Sequence, residues 1–388
     1  MDIRLSPDQE AIAQAVAKLC AGFDDGYWTA CDTGARFPHE FHKAVADAGF
    51  LGIAMPAELG GAGLGVVEAA IMMHEIGRGG GGYAAASAVH LNIFGPHAIV
   101  VHGTDEQKQR MLVPLIKGAE KACFGVTEPN AGLDTTSIET FARRTNAGYI
   151  VRGRKIWTTT AQEADRILLL TRTTKKEDGK KPTDGMTLFY TALDRAKVEV
   201  RAIPKMGRAA VDSNAVFIDD LFVPDEDRIG EEGKGFRYLL DSLNPERILI
   251  AAEAIGLGRD ALARAARYAR ERVVFGRPIG QNQGVQHPLA ECWAYLESAW
   301  WMCLRAASLY DAKEPCGAEA NAAKLLGARA AFEACKTAIM THGGMGYAKE
   351  YQVERLFRES MLPVLAPVSE QLILSYIAEN VLGQPKSY

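Results

Sequence analysis

The apolar pattern of this 388-residue chain changes period twice, and that change limits what the chain can build. Over residues 231–388 apolar side chains recur three or four positions apart. Ile248, Ala252, Ile255, Leu262, Ala266, Ala269 and Val273 form one stripe. Leu289, Trp293, Leu296, Trp300, Cys303, Ala307 and Tyr310 form a second, and Leu325, Ala328, Phe332, Cys335 and Ile339 a third. Such spacing puts each set on one helix face, so the segment reads as an antiparallel bundle, its aromatic and thiol side chains in the core. Between residues 121 and 230 the period shortens. Residues 149–151, 166–170, 186–190, 198–200 and 215–218 are β-branched and aromatic runs that read as strands. Closely spaced strands with no helix between them predict an antiparallel, barrel-like sheet. Residues 1–120 are helical again: Ser6 before Pro7, Asp8, Gln9 and Glu10 is a helix start, and glycine clusters at 60–65 and 79–82 divide the segment. The expected fold is α+β and multidomain: a helical domain over 1–120, a β domain over 121–230 and a four-helix-bundle domain over 231–388.

Charge and composition remove several function classes. Lys plus Arg is 44 against Asp plus Glu 48, a net charge of -4, which argues against a nucleic-acid binder. No apolar run is read as approaching the roughly 20 residues of a membrane span. The first residues mix acids and bases without an apolar signal core, so a cytoplasmic chain without membrane insertion is expected. Seven cysteines, an odd number with no CxxC pair, argue against a disulfide framework or a Cys-rich zinc site, and the eight histidines form no HExxH. No metal is expected. Gly256, Gly258 and Ala261 imitate a dinucleotide fingerprint after an apolar run, but the apolar spacing runs through them with a helical period, and the later stretch, RERVVFGRPIG, does not supply the acid that should end a second strand.

Three clusters carry chemistry. Residues 124–134 form a polar, turn-rich loop with many backbone donors, suited to a ring edge or a pyrophosphate and equally to an ordinary turn. Lys155, Trp157 and Thr159 join a stacking indole to hydroxyls at a strand end. Arg272, Phe275 and Gln283 join a cation, an aromatic and an amide just past a helix, which suits an anionic aromatic cofactor or a plain connecting loop.

In this order and spacing, with Gly343, Gly344, Glu354, Arg355 and Arg358 further on, the clusters resemble the acyl-CoA dehydrogenase family over nearly the whole chain. The resemblance implies FAD bound between a β domain and two helical domains in a homotetramer. It implies α,β-dehydrogenation of an acyl-CoA to a trans-2-enoyl-CoA, with electrons passed to an electron-transferring flavoprotein. Carried over one at a time, Phe124, Val126 and Thr127 would face the flavin, and Trp157 and Thr159 would lie beside its ring, Thr159 near N5. Arg272, Phe275 and Gln283 would reach the FAD of a neighbouring subunit. Gly343 and Gly344 would approach its adenosine diphosphate part, and Ser369 is placed with the cofactor. Leu133 stands where a Ser contacting cofactor or CoA is usual, and Met340 replaces a usual Gln. Ala86, Ser87, His90 and Phe94 would line the acyl pocket; His90 could meet a polar acyl group or be a satisfied core residue.

The family's usual base, a Glu before the last helix, falls at Pro367, which takes no proton. Proline also lacks the backbone N–H that in the family helps hold the thioester oxygen, a donor whose loss elsewhere costs about 3 kcal/mol. In the isovaleryl-CoA and long-chain branches the Glu comes from an earlier helix, just before an Arg. Asn244, Pro245, Glu246 and Arg247 occupy that place. Glu246 is therefore the expected base, with Asn244 and Arg247 toward the CoA arm and room for branched acyl chains. Proline followed by Glu also suits the first turn of a helix, where the dipole stabilises a carboxylate. Two alternatives share the sequence: a flavin monooxygenase or lyase of the same fold, motivated by Pro367, and a non-catalytic acyl-CoA-binding homologue.

Overall fold

A computed structural model of the chain describes residues 4–93 and 95–386. Seven helices come first: α1 (Pro7–Cys20), α2 (Asp25–Thr33), α3 (His39–Asp47), α4 (Val66–Arg78), α5 (Gly82–Ile93), α6 (His97–His102) and α7 (Asp105–Ile116). Helix α1 starts as read: the Ser6 Oγ accepts from the Gln9 N–H, and the Gln9 side chain accepts from the Ser6 N–H.

The β domain follows, with β1 (Ala122–Gly125), β2 (Phe141–Thr145), β3 (Gly148–Thr159), β4 (Arg166–Arg172), β5 (Met186–Ala192), β6 (Val198–Ala202), β7 (Ser213–Pro224) and β8 (Arg228–Ile229). The sheet runs β6-β7-β3-β2-β4-β5-β8. Most pairs are antiparallel, as expected, but β1 joins β4 in parallel. That pairing carries the 124–134 loop away from the middle of the sheet toward the end of β3.

The last segment holds α8 (Gly235–Glu271), the ribbon β9 (Val273–Val274) and β10 (Arg277–Pro278), α9 (Gln283–Asp311), α10 (Gly317–His342), α11 (Val353–Ser360), α12 (Leu362–Leu365) and α13 (Glu370–Asn380). Helices α8, α9 and α10 pack on one another, and α11 and α13 pack on α10 as an interrupted fourth element. The stripes are largely core: Ile248, Ala252, Ile255, Leu296, Cys303 and Cys335 are fully buried. Two stripe members are not. Trp293 is 61% exposed and Val273 55%, because the stripe drifts off the bundle face before α9 is well packed and after α8 has ended. All seven cysteines are buried free thiols.

Helix α8 decides two sequence questions. Pro245 and Glu246 lie inside its 37 residues, ten positions past its start, so Glu246 is not a first-turn carboxylate. The glycines 256 and 258 lie on the same helix where it meets its neighbours. A Cβ at Gly256 would strike the His74 carbonyl of α4, and one at Gly258 would come 2.9 Å from Ala331 Cα of α10. They permit close helix approach, not dinucleotide binding. The reading that no apolar run approaches a membrane span also needs correcting. Residues 82–102 and 353–380 reach that length and hydropathy, but the first is mostly buried in the protein and the second is divided among α11, α12 and α13.

Candidate active site

A buried ion pair fixes one wall. Lys155 Nζ on β3 donates to Glu128 Oε1 at 2.7 Å and to the Val126 carbonyl at 3.1 Å. The Glu128 carboxylate also accepts from the backbone N–H groups of Glu139 and Thr140. Burial pulls the Lys155 pKa down to about 8, with Glu128 pulling the other way. The pair ties the 124–134 loop to β3, and the Ile156 N–H donates to the Thr127 carbonyl across the same seam. Val126 and Thr127 are thereby held beside Trp157 and Thr159. Trp157 has φ 59 and is 57% exposed, so its indole stands out from the strand end.

Glu246 lies on α8, within the field of His90 on α5 and of Lys324 on α10. It keeps part of its surface open, yet its carboxyl is closed in by protein. Burial pushes its pKa up to about 7; His90 and Arg247 pull it down, and Glu253 adds to the rise. His90 on α5 is buried and its Nδ1 lies 2.6 Å from Glu253 Oε1 on α8. Burial opposes the imidazolium, but Glu253 outweighs it, and the His90 pKa is raised. His90 is thus a partnered buried residue. Asn244 Oδ1 accepts from Arg247 Nη1 at 3.1 Å, while Arg247 Nε has no partner. Lys324 of α10 donates to the Val368 carbonyl at 2.6 Å, next to Pro367.

Sequence reasoning passed over Arg208, in the loop between β6 and β7. It is 93% buried by its 7% exposure. Nη1 donates to Ser87 Oγ at 2.9 Å, and Nη2 to Ser213 Oγ at 2.8 Å and Thr159 Oγ1 at 3.3 Å. One guanidinium therefore joins an expected pocket residue to the hydroxyl expected near flavin N5. In sequence Arg208 is one cation in a Gly- and Ala-rich loop, and nothing local marks it as buried. Glu253 and Lys324 were missed for the same reason, and Lys155 and Glu128, each inside a cluster already noted, were not read as a pair.

The remaining expected residues fall into distinct settings. Phe124 is partly buried against the β-domain core. Ala86 is fully buried. Phe94 lies outside the described residues. Leu133 is 65% exposed. Ser369 caps α13, its Oγ accepting from the Leu372 N–H. Phe275 sits at the tip of the β9–β10 ribbon with φ 51 and is completely exposed, with Arg272 and Gln283 exposed at its base. Gly343 has φ 60 at the end of α10, and a Cβ there or at Gly344 would meet open space. Two surface grooves, of about 540 and 420 Å³, lie on the β domain. Neither is lined by Glu246, His90 or Arg208, so the chemistry is assigned from side-chain placement, not groove size.

The chain matches the acyl-CoA dehydrogenase N-terminal domain over residues 6–119, the middle domain over 123–221 and the C-terminal domain over 233–382. It belongs to the acyl-CoA dehydrogenase family. Acyl-CoA dehydrogenase FadE12 of Mycobacterium tuberculosis is 34% identical, covering 99% of this chain and 98% of its own. Butyryl-CoA dehydrogenase of Megasphaera elsdenii superposes with a TM-score of 0.93 at 27% identity, over 98% of this chain and all of that one. The FAD complex of PigA superposes with a TM-score of 0.92 at 25% identity, over 98% of this chain and 99% of that one.

This acyl-CoA dehydrogenase is an oxidoreductase, and its cofactor is FAD. Its own residues fit that group. A projecting indole at Trp157 stands beside the loop that Lys155 anchors, and open space beside Gly343 and Gly344 leaves the backbone approachable. Phe124, Val126, Thr127, Trp157 and Thr159 would hold the ring on this subunit.

Proposed function

We propose that the enzyme removes the Cα proton of an acyl-CoA with Glu246 and yields a trans-2-enoyl-CoA, its electrons leaving to an electron-transferring flavoprotein. The carrying observation is the Glu246 carboxyl, closed in by protein and raised to about 7. A base needs a pKa near the working pH, and burial supplies it here without a like-charged partner in contact. FAD, when bound, accepts the hydride from Cβ. Asn244 and Arg247 flank the base on the side assigned to the CoA arm. Proline leaves no N–H at position 367, and Lys324 holds the adjoining Val368 carbonyl. With the base on α8 instead of that loop, space near Cβ is freed, which supports branched acyl chains. The exposed Phe275 ribbon supports a homotetramer in which that ribbon reaches a neighbouring subunit's FAD, and the charge balance suits a cytoplasmic enzyme.

The test is an anaerobic titration with straight and branched acyl-CoAs. Wild type should lose its oxidised flavin band; Glu246→Gln should keep FAD and show bleaching slowed at least a thousandfold. Undiminished bleaching by the variant would refute the base. Bleaching by no acyl-CoA, with oxygen consumed and a hydroxylated product formed in air, would instead support the monooxygenase reading that Pro367 motivates.

A further inference from the structure

Arg208 is a buried cation without an acid of its own. Its guanidinium has five N–H donors, and the three engaged meet hydroxyls only. Nε has no partner. Among the described residues no carboxylate forms an ion pair with it. A buried, unpaired charge is among the costliest arrangements in a protein interior.

The neighbouring acids are all committed. Glu359, Asp212 and Glu253 are the carboxylates whose fields reach Arg208 most strongly. Glu359 takes Arg355 Nη1 at 3.1 Å and the N–H groups of Tyr83 and Ala84. Glu253 takes His90, and Asp212 takes the Gln162 N–H and the Asn214 amide. Lys205 lies within the field of Asp212 and donates to the Arg208 carbonyl at 2.8 Å. Each of these acids is thus engaged by other donors, and among the described residues none of them touches Arg208.

The placement is also held against resistance. Arg208 has φ 58, a left-handed conformation unfavourable for a residue with a side chain. Gly207 beside it is so close to α11 that a Cβ would lie 2.7 Å from the Arg358 carbonyl carbon. The loop is thus pinned while its cation is aimed between Ser87 and Thr159. Strain retained at such a point is a mark of function.

Resting on the dehydrogenase reading for the position of the acyl pocket, we infer that the substrate's acyl chain bears a carboxylate and that Arg208 receives it. The substrate class is the CoA monothioester of a dicarboxylic acid. The carboxylate accepts from the Nη1 donor that Ser87 leaves over, and gives Arg208 the carboxylate contact it lacks within the chain. A guanidinium is suited to this because an N–H bond from a cation to a carboxylate is shorter and stronger than one to a hydroxyl.

The experiment measures binding, so it does not depend on turnover. FAD-loaded Glu246→Gln enzyme is titrated calorimetrically with pairs of equal length: hexanoyl-CoA against adipoyl-CoA, and octanoyl-CoA against suberoyl-CoA. The dicarboxylic member of at least one pair should bind 30-fold tighter or better. Adding Arg208→Gln should erase the difference, and Arg208→Lys should restore part of it. FAD content and melting temperature report whether each variant is folded, and the wild-type loop can be tested by the ligand pairs alone. Equal or tighter binding of the neutral member of both pairs overturns the inference. So does a preference that survives Arg208→Gln, or an Arg208→Gln effect confined to the flavin's reduction potential and equal for both ligands. If no acyl-CoA bleaches the wild-type flavin, the dehydrogenation reading fails, while the binding ratio still decides the Arg208 assignment.

Discussion

Glu246 titrates where an acyl-CoA dehydrogenase can use it. Its raised pKa means that the proposed base is protonated, and idle, in more acidic solution. The rate of flavin bleaching under kcat/KM conditions should therefore rise with pH through about 7 and level off above it. A flat profile between pH 5 and 9 would show that another group sets the rate. Stability has the opposite dependence. A carboxyl whose folded pKa exceeds its unfolded value destabilises the fold above the unfolded pKa, because ionisation is harder in the folded state. Glu246→Gln removes that penalty. It should melt higher than wild type at pH 8, by an amount on the order of 1–3 kcal/mol, and the gain should vanish below pH 4. Thermal scans of both proteins at the two pH values check this.

At the scale of elements, the cofactor wall depends on one strand and one loop being joined. Lys155 is fully buried, and among the described residues its partner Glu128 forms no other ion pair. Lys155→Met would leave Glu128 enclosed with only backbone N–H partners, and removing one member of a buried pair costs about 3–5 kcal/mol. The loss falls on the joint that orders Val126 and Thr127. The variant should lose FAD on gel filtration before its helical signal changes, which flavin absorbance and far-ultraviolet circular dichroism would show together. FAD retained at the wild-type ratio would mean that the loop is held by other contacts. The parallel β1–β4 pair contributes to the same end, because it delivers the loop to the tip of β3.

At the scale of the molecule, Phe275 at the tip of a ribbon is wholly exposed and buries none of its ring in its own chain. Beside exposed Arg272 and Gln283 it forms an aromatic and polar edge directed outward. Phe275→Ala should leave the subunit folded, weaken assembly and raise the dissociation constant for FAD at least tenfold. Sedimentation velocity and a flavin-release assay measure the two effects, and a variant that assembles and retains FAD normally would remove the ribbon from the subunit contact.

The helix–sheet–helix order, the cap of α1, the bundle stripes and the place of Glu246 were legible in the amino-acid sequence. Each depends on near neighbours: a cap on the next three residues, a stripe on a repeat of three or four, the proposed base on a short motif. Even there the reading had edges. Trp293 follows the stripe but faces outward, and Pro245 looks like a helix start while lying deep inside α8. The charged interior was not legible. His90 meets Glu253 across 163 positions, and Arg208 meets Ser87 across 121. In the sequence each of these is one more ordinary polar residue, because the energy of a buried charge depends on who faces it and how much water is excluded. Only the tertiary structure sets those two quantities, and so only it separates a solvated loop arginine from a cation left waiting for an anion.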